Sequence, residues 1–162
     1  MTDFAKARLL ALVVSAALLA GAFGSQYFGG LFPCELCWWQ RYGHLAAVAC
    51  ALIALLLHRQ PSLSRLLVWL ALLGIVASGV IGVYHAGVEA KIFEGFTQCT
   101  AKPVIGSAEE MLNDILSRPA IRCDEVQWSF LGISMAGWNA ILSLGFASLI
   151  LWLLIKRPRT KR

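Results

Sequence analysis

The sequence predicts an all-α membrane protein, a bundle of four transmembrane helices with both termini cytoplasmic. Composition is the first observation behind this. Apolar residues make up 59% of the 162-residue chain and charged residues 14%, against roughly 45–50% and about 25% in soluble globular proteins. Such a chain has too little polar surface to cover itself in water, so a bilayer must take the rest. The second observation is the spacing of the apolar runs, and the third is the placement of the basic residues.

Four runs approach the length of about 20 residues that a helix needs to cross a bilayer. The first spans residues 9–27, the third 66–84 and the fourth, free of charge, 135–155. The second apolar run, 43–57, is too short at 1.5 Å per residue to cross a core of about 30 Å. Starting its helix near Leu36 repairs the deficit, giving a span of about 37–57 with Cys37 and Arg41 in its first turns. Ala20-Gly21-Ala22 resembles a signal-peptide cleavage site. The run before it exceeds the usual apolar stretch of about 7–15 residues, so the first span is expected to be retained.

Lys and Arg near the span ends set the orientation. With both termini inside, segments 1–8, 58–65 and 156–162 hold nine of the fourteen basic residues, five of them in the tail. The outer loops, about 28–42 and 85–134, hold five basic residues and eight of the nine acidic ones. The tail charges read as a stop after a span, and no basic stripe with interleaved aromatics speaks for nucleic acid. In the second loop Ser107-Ala108-Glu109-Glu110 forms a capping box. Ala108, Met111, Leu112, Ile115 and Leu116 then make one apolar stripe, expected to lie on the membrane surface. Trp128, Phe130 and Trp138 flank the fourth span as an aromatic belt would.

Of five cysteines, Cys50 sits mid-span among Ala and Leu and reads as a small buried apolar residue. The other four, Cys34, Cys37, Cys99 and Cys123, fall two in each outer loop, on the side where disulfides persist. Cys34 and Cys37 have the two-residue spacing of redox pairs. A bridge over so few residues constrains the unfolded chain little, so it suits an electron carrier better than a staple. Pro33 marks a helix start, where amides and dipole favour a thiolate. Arg41, one turn beyond Cys37, either snorkels to the interface or stabilises that thiolate and hydrogen-bonds an acceptor's carbonyl. His85, just past the third span, and His44 are interfacial histidines, solvated or functional. Cys99 and Cys123 either close a structural loop or swing on tethers toward the first pair. Zinc would need four tightly spaced ligands; only one pair here is close, and no metal is expected.

Pro33-Cys34-Glu35-Leu36-Cys37, Gln40-Arg41, Tyr84-His85-Ala86-Gly87 and Cys123-Asp124-Glu125 leading to Trp128-Ser129-Phe130-Leu131-Gly132 together resemble the disulfide bond formation protein B (DsbB) family. The resemblance covers nearly the whole chain. It implies an inner-membrane thiol:quinone oxidoreductase that reoxidises a periplasmic thioredoxin-fold oxidase of the DsbA type. Cys34 and Cys37 would then face the quinone, ubiquinone or menaquinone, with Arg41 holding it and His85 on its side. Cys99 and Cys123 would be the second pair, with Cys99 the cysteine joined transiently to the partner.

Overall fold

A computed structural model describes residues 2–95, 107–117 and 122–156. Its elements are α1 (Asp3–Tyr27), α2 (Glu35–Leu56), α3 (Pro61–Glu89), α4 (Ala108–Ser117), β1 (Ser129–Phe130), β2 (Ile133–Ser134) and α5 (Met135–Ile155). Helices α1, α2, α3 and α5 are each long and apolar enough to cross a membrane. Local sequence explains their starts. Thr2 caps α1, its hydroxyl accepting from the Ala5 amide at 3.2 Å, and Ser134 caps α5, accepting from Gly137 at 3.1 Å. Pro61 opens α3, where its missing N–H leaves nothing unsatisfied.

The fourth span is as expected, but the others begin earlier or run longer. Helix α1 begins at Asp3 rather than Leu9, and α3 extends five residues beyond each end of the expected span. Their polar end turns continue the helix because backbone hydrogen bonding does not stop where apolar side chains do. His85 therefore lies within the last turns of α3, not past it. Helix α2 starts at Glu35, so Pro33 stands before the cap, and Cys34 itself is the N-cap, its sulfur accepting from the Cys37 amide at 3.4 Å. The outer loops shorten accordingly.

Small residues let the helices approach closely, as association between helices in lipid requires. Ala7, Ala11, Ala47, Ala51, Ala71 and Ala147 form the seam with Ile75 and Ile150. Helices α2 and α3 touch backbone to backbone: a Cβ on Gly43 would stand 2.8 Å from the Gly74 carbonyl oxygen, and one on Gly74 2.7 Å from that of Gly43. Large apolar side chains such as Leu52, Leu66, Leu73 and Ile141 point outward. At the far end, Arg8 ties three helices by donating to the Ala54 carbonyl (3.2 Å) and Ser64 hydroxyl (3.3 Å).

The capping box of α4 forms as read: Glu110 accepts from the Ser107 amide at 2.7 Å and its own amide donates back to the Ser107 hydroxyl at 3.3 Å. Met111, Leu112 and Leu116 on this helix are exposed. Strands β1 and β2 pair antiparallel, Phe130 opposite Ile133. Leu131 (φ 54) and Gly132 (φ 78) supply the two positive φ angles of a type I′ turn. The hairpin stacks Trp128 on Phe130 and brings Phe130 beside Trp138, which donates to the Phe130 carbonyl at 3.1 Å.

Candidate active site

The start of α2 carries the two thiols. Cys34 and Cys37 have their sulfurs 3.2 Å apart, and Cys34 is buried. Cys123 is fully buried in the same cluster, together with Leu36 and Val88, and its thiol hydrogen-bonds Cys34. Two cysteines far apart in sequence are thus brought to one sulfur. Cys99 lies outside the described residues.

The loop carrying Cys123 is clasped to the end of α3. Lys91, in a left-handed conformation just after that helix, donates to the Asp124 carboxylate at 2.6 Å and to its carbonyl at 2.7 Å. Arg122 holds the same carboxylate through Nε and Nη2 at 2.9 and 2.8 Å. These cations, Arg122 foremost, keep the Asp124 carboxyl well below the usual carboxylate range.

His85 approaches the pair from α3. Its Nε2 lies 3.6 Å from Cys34 Sγ and 3.8 Å from a Glu89 carboxylate oxygen, while Nδ1 lies 2.9 Å from the Gln40 amide nitrogen. His85 also reaches Cys37. Gln40 in turn accepts from Asn139 of α5 at 2.8 Å, and Asn139 Oδ1 lies 3.0 Å from His44 Nε2 and accepts from Ser143 at 3.1 Å. This buried polar chain crosses from α3 through α2 to α5, and gives His44 a partner in Asn139.

Arg41 shares a helix face with Cys37, yet its hydrogen bonds run to α1. It donates to the Gln26 side-chain oxygen at 2.5 Å and to the Ala22 carbonyl at 2.9 Å. Its guanidinium lies 4.8 Å from the Phe23 ring centroid and 5.1 Å from that of Trp38, within cation–π range. Only 5% of Arg41 is exposed, so two helices fix its charge in place.

Beside these groups lies a cavity of about 580 Å³, within the range of small-molecule sites. Cys34, Cys37, Arg41, His44, His85 and Glu89 line it, with walls otherwise mainly apolar, including Leu18, Leu19, Phe32 and Leu142. Among the described residues, buried Glu89 Oε2 and His44 Nδ1 have no hydrogen-bond partner. Sequence reasoning missed Glu89, Gln40 as more than a motif residue, and Asn139. A signal for Glu89 existed: it stands four residues after His85, one helical turn along the same face.

A dithiol on a cavity inside a four-helix membrane bundle, with a third cysteine buried against it, defines a membrane-embedded thiol–disulfide protein. The family described as "Disulfide bond formation protein DsbB" matches residues 5–153, and the chain belongs to it. Relatives described as disulfide bond formation protein B support a disulfide-forming oxidoreductase. One from Marinobacter nauticus is 32% identical, covering 91% of this chain and 90% of its own. Others from Acidovorax (31%; 97% and 92%) and Methylococcus capsulatus (34%; 89% and 91%) agree. No solved structure gives a significant match.

Proposed function

We propose that the protein is an inner-membrane thiol:quinone oxidoreductase. It reoxidises a periplasmic thioredoxin-fold oxidase of the DsbA type and delivers the electrons to ubiquinone or menaquinone. The observation that carries this reading is the burial of Cys123 against Cys34 at a cavity that Arg41 and His85 line.

The residues fit a quinone. Apolar walls suit a ring and an isoprenoid tail. Arg41 supplies a fixed donor, and Glu89 and His44, which also line the cavity, each carry a buried polar atom with no partner among the described residues. When bound, quinone supplies a two-electron, two-proton acceptor.

The chain's own steps follow thiol–disulfide exchange. A thiolate of the reduced partner attacks Cys99 of a Cys99–Cys123 disulfide, forming a mixed disulfide and releasing the Cys123 thiolate. Cys123 then attacks Cys34, its neighbour, and the Cys34–Cys37 bond breaks with Cys37 leaving as thiolate. The partner's second thiol resolves the mixed disulfide and frees Cys99. Cys99 re-forms its bond to Cys123 and releases Cys34. The partner leaves oxidised, and its two electrons now reside on Cys34 and Cys37. Arg41 and His85 stabilise negative charge on this pair as it gives two electrons to the acceptor and closes again.

Purified protein given a reduced thioredoxin-fold donor is expected to reduce quinone, followed by the loss of quinone absorbance. A hydrogen bond to a charged group is worth about 1.5–3 kcal/mol, so Arg41→Ala should slow the reaction roughly ten- to a hundredfold. No quinone reduction by the wild type would refute the function. Equal rates would refute the role of Arg41.

A further inference from the structure

We infer that Gln40 is a positioning residue that fixes the tautomer of His85. In this way it keeps a proton on the nitrogen facing the cysteines and denies the Cys34–Cys37–His85 cluster to metal ions.

Two main-chain carbonyls decide the matter, because a carbonyl can only accept. The Gln40 group that lies 3.1 Å from the Leu36 carbonyl must be its NH2. The Asn139 group 3.3 Å from the Ser78 carbonyl must likewise be its NH2, and the same group meets Gln40 Oε1 at 2.8 Å. Reversing the Gln40 amide would set oxygen against the Leu36 carbonyl and NH2 against NH2 at Asn139. Its orientation is therefore locked from both sides. Gln40 is only 6% exposed, so its amide is held among these partners rather than at the protein surface.

The consequence falls on His85. The second N–H of the Gln40 amide points at His85 Nδ1, 2.9 Å away, so Nδ1 must accept. In the neutral ring the proton then sits on Nε2, the nitrogen 3.6 Å from Cys34 Sγ. His85 thus offers sulfur a donor, which favours a thiolate over a thiol.

One nitrogen of His85 and the sulfurs of Cys34 and Cys37 lie within 4.8 Å of one another, a spacing that suits a thiophilic cation. Ligation through Nε2 would need that nitrogen bare and the proton on Nδ1, facing an NH2 group. Histidine ligands to metals instead place their other nitrogen against a carboxylate or carbonyl. Gln40 supplies the opposite polarity. An oxidase that passes through a reduced dithiol needs such protection, since an ion held on both sulfurs would block re-formation of their bond. That functional meaning rests on the thiol:quinone reading; the tautomer and the metal exclusion do not.

Two measurements test this without turnover. Nitrogen NMR of 15N-histidine-labelled wild-type protein, with His85 assigned by its loss in His85→Ala, should show Nε2 protonated and Nδ1 bare. A protonated Nδ1 in neutral His85 would overturn the inference. Zn2+ alone, titrated into reduced protein, should bind Gln40→Glu at least about tenfold more tightly than wild type. His85→Ala or prior oxidation of the pair should abolish that gain, and Cys50→Ser should leave it intact. Equal Zn2+ affinity in wild type and a folded Gln40→Glu would contradict the proposal. Should Gln40→Glu fail to fold, the wild-type NMR result decides alone.

Discussion

The Asp124 carboxylate ties the cysteine-bearing loop to the end of α3 through Lys91. Its folded-state pKa is depressed by Arg122 and Lys91. The sign follows from linkage: a depressed acid contributes stability above its unfolded value, about 3.9 for aspartate, and loses it as pH falls through the lower folded value. The clasp should therefore persist through the pH range where ordinary aspartates protonate, and open only below it. Hydrogen-exchange protection of residues 122–128, corrected for intrinsic rates, should hold down to about pH 4. Asp124→Asn should weaken that protection at neutral pH. Unchanged protection in the variant would show that apolar burial of Cys123 alone holds the loop. Cys34, Cys37 and Arg41 could be grouped from the sequence because their spacing is local, whereas His85, on another helix, was set beside them only by the family resemblance. The Gln40–Asn139–His44 chain was not legible, since nothing in an uncharged apolar run announces that Asn139 of α5 faces α2 at the height of Gln40.

The helices owe their arrangement to close contact. Gly43 and Gly74 let α2 and α3 meet at their backbones, and this contact sets the height at which His85 meets Cys34. Gly74→Ala would force a methyl to 2.7 Å from a carbonyl oxygen that cannot yield. It should destabilise the bundle by about 1–3 kcal/mol, the range for overpacking. Gly145 has open space around its would-be Cβ, so Gly145→Ala should be neutral or slightly stabilising. Reversible unfolding in mixed detergent micelles reads both. The ends of α5 were legible because a charge-free run is bounded by Ser134 and Lys156. The start of α1 and both ends of α3 were not, because their end turns are polar yet still helical. The β1–β2 hairpin was not legible because its strands are two residues each, too short to show the alternation that marks a strand.

At the scale of the whole molecule, one end of the bundle holds the redox groups and the other is pinned by Arg8. The apolar outer faces of four helices suit lipid, and the cavity opens among helices that a membrane would surround. The account depends on Cys123 being the cysteine that enters this end and joins Cys34. Oxidised Cys37→Ser protein tests this most directly, because Cys34 then lacks its usual partner. Cys34 should attack the Cys99–Cys123 bond at Cys123 and release Cys99 as a thiol. Peptide mapping by mass spectrometry should recover a Cys34–Cys123 crosslink. Cys34 joined to Cys99, or left as a thiol beside an intact Cys99–Cys123 bridge, would contradict the relay.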